Sequence, residues 1–287
     1  STLGNLSNLE LLELYGNDLT GNIPASLGDL SSLQQMELDD NNLTGSIPST
    51  LGNLSNLELL ELYGNDLGGS IPAELGNCSQ LLSLDICQNN FTGSLPSELS
   101  NCTLLYEICV YDCELSGDIP TSFQKLHNLY ELDISYNQFT GLPDLSDLPN
   151  LDEFYCLHNQ FTFEDLEANM ELEEIDDFEY SPQDSVDIGA PAKVVKGGTM
   201  TASVDVGGNA NSYQWYKDGN PVAGETQDEL TVSPMTEADF GNYYCQITNS
   251  IVTGLTLTSH QAFIDDGSGY LKVIVWHDIN SKGTVDA

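Results

Sequence analysis

Leucine recurs along the first part of the chain at a fixed stride. Units begin at Leu9, Leu33, Leu57, Leu81, Leu105, Leu129, Leu151 and Leu172, spaced by 24 residues five times, then by 22 and 21. Each reads L-x-x-L-x-L-x-x-N-x-L. The L-x-L stretch alternates with period two, which predicts a short strand with one face buried. Leu12, Leu14, Leu19 and their equivalents are the expected core. No such unit can bury its apolar face alone, so the pattern predicts a solenoid in which each coil covers its neighbour. Residues 1–19 return letter for letter at 49–67, an offset of two units. A solenoid tolerates that duplication because each coil touches only adjacent coils.

An asparagine column follows the strands: Asn17, Asn41, Asn65, Asn89, Asn137 and Asn159, with Cys113 taking the place in the fifth unit. An amide both donates and accepts, so it can satisfy backbone groups in a turn buried between coils. Next comes G-x-I-P, as in Gly21–Pro24, Gly45–Pro48, Gly69–Pro72 and Gly117–Pro120, with Leu95 for Ile in the unit between. Gly and Pro predict extended chain and 3₁₀ turns there rather than long helices. The G-x-I-P-x-x-L-G-N-L signature over residues 1–180 resembles the plant-type leucine-rich repeat of extracellular receptor domains. The shortened later units, ending in "FTFEDLEANM" and "YSPQDSV", resemble those of secreted Bacteroidetes repeat proteins that carry immunoglobulin-like modules. The resemblance implies an α/β repeat solenoid, a secreted or cell-surface location, and a bacterial source.

After residues 181–191, read as a linker, the pattern changes to short alternating strands over 192–265. "QWYKDG" and "EADFGNYYCQITN" resemble a bacterial immunoglobulin-like domain, an all-β sandwich. The resemblance makes Trp215 its core tryptophan and Tyr243 its corner tyrosine, with Asp239, Gly241 and Cys245 completing the motif. Ala202 or Val204 stands where a partner cysteine would be, so Cys245 is expected as a buried free thiol. Residues 266–287 form a C-terminal strand, "GYLKVIVWH", and a tail. There, Asp278, Asn280, Gly283 and Asp286 weakly resemble a calcium loop.

Strand alternation turns two further columns outward on the concave side. The first reads Glu13, Glu37, Glu61, Asp85, Cys109, Asp133, Tyr155 and Asp176. The second reads Tyr15, Asp39, Tyr63, Cys87, Tyr111, Ser135, Leu157 and Phe178. Carboxylates on neighbouring strands, roughly 4.8 Å apart, repel one another and call for a cation, a cationic ligand or salt. Rings beside acids suit a ligand with apolar or sugar-like faces and polar edges. Glu13, Tyr15, Glu37, Asp39, Glu61, Tyr63, Asp85, Tyr111, Asp133 and Tyr155 are therefore the candidate binding residues. The plainer alternative is a solvated face on an acidic protein.

Composition narrows the partners. Asp and Glu total 45 and Lys 6, with no Arg, giving a formal net charge of -39. That excludes nucleic acid, whose phosphates need Lys and Arg, and disfavours anionic membrane surfaces. No apolar stretch is long enough to span a bilayer. The chain begins at Ser1 within a repeat, which reads as a processed protein or a fragment. The histidines lie far apart and no catalytic motif is present, so no catalytic residue is assigned and the protein is expected not to be an enzyme. No C-x-x-C spacing supports a metal centre, and metal ligands stay unassigned. No cofactor is expected, with Ca²⁺ the one ion the acidic columns would admit. Cys78 and Cys102 share one buried column and, with the other five cysteines, are expected as free thiols. The favoured function is extracellular recognition or adhesion, with a peptide, protein or glycan of cationic character on the concave face. The alternatives are a targeting module of a larger secreted enzyme, or a cell-surface spacer.

Overall fold

The L-x-L stretches form three-residue strands: Leu11–Glu13, Gln35–Glu37, Leu59–Glu61, Ser83–Asp85, Glu107–Cys109, Glu131–Asp133, Glu153–Tyr155 and Asp177–Glu179. In the computed structural model, which describes residues 3–266, they pair in chain order as one eight-stranded parallel sheet. Their middle residues point inward. Leu12, Met36, Leu60, Leu84, Ile108, Leu132 and Phe154 are buried, and Phe178 stacks on Phe154 with ring centroids 5.3 Å apart. The predicted solenoid core is therefore present, built coil on coil.

Each coil returns through the G-x-I-P segment. Six short strands, from Thr20–Asn22 to Gln138–Gly141, form a second parallel sheet. Gly21, Gly45, Gly69, Gly93 and Gly117 all adopt φ near +80°, a conformation that a side chain would strain. The proline that follows each leads into a five-residue 3₁₀ turn, as at Ala25–Asp29 and Ser49–Asn53. These turns stack closely. A Cβ on Gly52 would stand 2.2 Å from the Glu74 carbonyl oxygen, which accounts for the glycine of the L-G-N motif.

The asparagines hold the strand ends. Asn65 Nδ2 donates to the carbonyls of Leu38, Leu62 and Tyr63 at 3.0, 3.0 and 3.3 Å, and its Oδ1 accepts the Leu43 N–H at 2.9 Å. Asn41, Asn89, Asn137 and Asn159 repeat the arrangement. Cys113 substitutes with its thiol directed at the carbonyls of Ile86 and Tyr111. The residue before each turn-holder is left-handed, including Asp40, Gln88, Asp112, Tyr136 and His158 with φ of 50–53°. The amide bonds across coils keep these non-glycine residues in place.

The last coil differs from its expected register. Tyr155 pairs with Glu179, and Phe154 with Phe178, so the final stride is 24 residues from Leu151 to Ile175 rather than 21 to Leu172. Leu172 is buried within a 3₁₀ turn, Met170–Glu174. Glu179, not Asp176, closes the first outward column, and Phe178 belongs to the inward set.

Packing divides the chain into two units, 1–161 with 168–181, and 162–167 with the chain from Pro182 onward. In the second unit, Met200–Ser203 pairs with Glu229–Val232, while Asn211–Lys217, Asn220–Pro221, Gly241–Asn249, Thr256–Thr258 and Ala262–Ile264 form an antiparallel sheet. Trp215 is fully buried opposite Cys245 and donates its indole N–H to the Gln227 carbonyl at 2.8 Å. The Tyr243 hydroxyl donates to the Asp239 carbonyl at 2.5 Å. Cys245 is buried and free, with Ala202 and Val204 also buried. Residues read as linker add pairings to this unit, Val186 to Ser259 and Gly189 to Ser203. The tail strand and its calcium-like loop lie outside the described residues.

Candidate ligand-binding face of the repeat sheet

Register places the outward residues side by side. Glu13, Glu37, Glu61, Asp85, Cys109, Asp133, Tyr155 and Glu179 are successive neighbours across the sheet. Tyr15, Asp39, Tyr63, Cys87 and Tyr111 follow in the next column, where bonds such as Gly16 N–H to Asp39 O and Asp40 N–H to Tyr63 O continue the pairing. A third outward column escaped the sequence reading. Glu107, Glu131, Glu153 and Asp177 also stand on adjacent strands. Its signal was present in the alternation, two residues before the first column.

Lys125 is the one Lys or Arg between residues 1 and 181, and none of the ion pairs among the described residues involves the repeat sheet. The carboxyls are correspondingly harder to ionise. Glu61 is pushed up to about 7 by loss of solvent and by Glu37, Asp39, Asp85 and Glu107. Glu131 also reaches about 7, through burial and then Glu107, Glu153, Asp133 and Asp85. Asp85 rises to about 6, chiefly by burial, against the Cys87 N–H that its Oδ1 accepts at 3.0 Å. Burial likewise raises Glu37 and Asp133.

Three expected features differ. Asp39 is 3% exposed rather than open to solvent. One of its oxygens accepts the Tyr63 hydroxyl, which pushes the phenol up to about 12. Its Oδ1 is buried with no hydrogen-bond partner. Second, Cys87 and Cys109 are joined as a disulfide with Cα atoms 5.8 Å apart, so they are not free thiols. The diagonal step between neighbouring strands brings their side chains together, within the separation a disulfide requires. Cys78, Cys102, Cys113, Cys156 and Cys245 are free and buried. Asp85 and the two bridged sulfurs lie within 4.8 Å of one another. Sulfurs bonded to each other are not thiolates, and that trio is no metal centre as it stands. Third, Tyr63 and Tyr111 are half-buried. Tyr111 meets the edge of Tyr136 at 5.3 Å, and Tyr136 stacks on His158 at 4.3 Å. Tyr15 remains 54% exposed.

Beside the strand starts, Tyr106 and Tyr130 stack in parallel at 4.9 Å. They line an open groove of about 810 Å³ with Leu82, Leu104, Pro149 and Asp152. These residues precede the L-x-L core, where the sequence reading assigned no site.

A stack of parallel-strand coils with asparagine-held turns, presenting an acidic and aromatic sheet face, defines a leucine-rich-repeat solenoid, here followed by an immunoglobulin sandwich. Family comparison agrees. "Leucine Rich Repeat" matches residues 8–30, 32–54, 56–78, 80–102 and 128–148, and "Immunoglobulin domain" matches 183–249. The chain carries leucine-rich repeats with an immunoglobulin domain behind them. Comparison with curated protein sequences yields no match. Among solved structures it is similar to the Arabidopsis receptor kinase HAESA in complex with the peptide hormone IDA and the co-receptor SERK1, at 32% identity and TM-score 0.59, over 63% of this chain and 31% of that one. It is similar to PEPR1 in the PEPR1-AtPEP1 structure, at 28% identity and TM-score 0.60, over 63% and 26%. It is also similar to the plant peptide hormone receptor RGFR1 in complex with RGF2, at 31% identity and TM-score 0.53, over 64% and 34%. The chain spans about a third or less of each of these receptors. Neither matched family indicates an enzyme. Among the described residues no helix is long and apolar enough to cross a membrane.

Proposed function

We propose that this protein acts outside the cell or at its surface, binding a peptide or protein ligand on the concave, outward face of the repeat sheet. The observation that carries this reading is the set of adjacent outward carboxylates in two columns, beside a third column that holds Asp39 and the tyrosines, with no basic partner among the described residues. Such a face is held at a free-energy cost that a cationic ligand would offset. The similar plant receptors that bind peptide hormones support the class of ligand. The immunoglobulin unit then serves as a spacer. The stacked Tyr106–Tyr130 pair in its open groove favours a second reading, a glycan whose sugar ring lies on the aromatic platform.

The test is to probe the full chain on arrays of synthetic peptides and of glycans, with and without calcium. Hits are then measured with a Tyr15→Ala/Tyr111→Ala variant, expected to lose more than about 1 kcal/mol of binding. Unchanged binding by that variant, with loss on Tyr216→Ala/Tyr244→Ala in the immunoglobulin unit, would reverse the roles of the two domains. Those two tyrosines stack at 4.9 Å and make a matched control.

A further inference from the structure

We infer that the sheet face contains an arginine-binding subsite centred on Asp39, with Tyr15 and Tyr63 as its walls and Glu37 and Glu61 on its rim. The inference rests on the reading of this face as a ligand surface and names the side chain that anchors there.

Asp39 is almost wholly buried, yet its Oδ1 has no hydrogen-bond partner. A buried acceptor without a donor is costly, and more so on a charged group. Register places Asp39 in the outward column between Tyr15 and Tyr63, next to the column that holds Glu37 and Glu61. The Tyr63 hydroxyl is already donated to this carboxyl. No Lys or Arg of the repeats is available to it, Lys125 lying in the 3₁₀ turn after Pro120. The missing donor therefore comes from a ligand.

Geometry selects the kind of cation. A calcium shell needs oxygens 2.3–2.6 Å from the ion, which gathers its ligand atoms within about 5 Å of one another. Among the described residues the one set of three such side chains within 4.8 Å is Asp85, Cys87 and Cys109. Glu37, Asp39 and Glu61 are spread wider than that. A planar guanidinium, bonding at about 2.9 Å on either side, spans oxygens up to ~8 Å apart. It also stacks on aromatic faces, which an ammonium does less well. The sequence duplication supplies those faces. Tyr15 and Tyr63 are the same position in the two copies, and Asp39 sits between them in the column. Tyr15 is more than half exposed and Tyr63 half-buried, so both present ring surface on this side of the sheet.

The probe is N-acetyl-arginine methylamide, titrated into the full chain labelled with 3-fluorotyrosine and followed by ¹⁹F NMR. Tyr15→Phe and Tyr63→Phe assign the two resonances. We expect both to shift saturably, with the neutral citrulline analogue at least tenfold weaker and the lysine analogue at least threefold weaker. Asp39→Asn should weaken arginine at least tenfold without lowering the melting temperature, because it removes a buried charge. Glu37→Gln and Glu61→Gln should each weaken it about threefold, and they keep the test decisive if Asp39→Asn does not fold. Equal response to citrulline, or arginine binding that survives Asp39→Asn, overturns the subsite. So does saturation of the same two resonances by CaCl₂ alone, which would make this a metal site. If arginine fails while an array ligand still depends on Tyr15 and Tyr111, the subsite falls and the recognition surface stands. If arginine binds at Asp39 while no array ligand depends on those tyrosines, the subsite stands and the recognition surface falls.

Discussion

Moving the protein from pH 8 to pH 5 returns protons to the folded repeat sheet before it returns them to an unfolded chain. Glu61 and Glu131 titrate near 7 and Asp85 near 6 in the folded state, against about 4 for free carboxyls. Between those limits the folded form binds more protons than the unfolded one. Stability then falls as pH rises, with most of the loss between about 5 and 7. The sign is opposite to that of a carboxylate stabilised by a salt bridge. A carboxyl held at about 7 instead of 4.5 carries about 3 kcal/mol of unfavourable free energy once ionised. The three groups are partly solvated and repel one another, so their contributions do not add. A net gain of about 2–4 kcal/mol on acidification is the discounted expectation. For a unit of this size that corresponds to a rise of roughly 5–10 °C in melting temperature. Both tryptophans, Trp215 and Trp276, lie outside the repeats, so far-UV circular dichroism is the suitable probe, at fixed low ionic strength. Glu61→Gln should raise the melting temperature at pH 8 and flatten the profile. A wild-type melting temperature that falls between pH 8 and pH 5, or a Glu61→Gln variant less stable than wild type at pH 8, would refute the account of unpaired carboxyls.

Screening should act in the same direction at neutral pH. Raising NaCl from 10 mM to 1 M, or adding millimolar Ca²⁺, should raise the melting temperature, and a flat response to both would remove repulsion as a determinant. Denatured, unreduced protein should titrate five thiols, with a Cys87–Cys109 peptide pair recovered by mass spectrometry; seven thiols would show that bridge absent. Asn65→Ala removes four hydrogen bonds inside the stack and should cost about 2–4 kcal/mol by denaturant unfolding. A cost below about 1 kcal/mol would mean that water replaces the amide.

The fold was legible because a solenoid writes its contacts into its period. Leucine spacing fixed the strands, the asparagine column fixed the turns, and G-x-I-P fixed the return segment, each through interactions between adjacent coils. The immunoglobulin core was equally local in its signs, with Trp215, Tyr243 and Cys245 at motif spacing. The outward columns through Asp133 were also readable, because strand alternation and a constant stride place them without further knowledge. Where the stride broke, sequence could not choose whether Leu172 or Ile175 begins the last unit, since both are apolar; strand register sets Ile175 there, and the last 3₁₀ turn buries Leu172. Only tertiary structure showed that Asp39 is buried with the Tyr63 hydroxyl bonded to its carboxyl, because burial of a side chain depends on its neighbours' rotamers. The columns already make Cys87 and Cys109 diagonal neighbours, but whether their side chains meet in bonding geometry depends on the assembled sheet, and there they form a bridge. The proton affinities of Glu61, Glu131 and Asp85 depend on solvent exclusion and on charges contributed by several coils at once, and they exist only when the sheet is assembled.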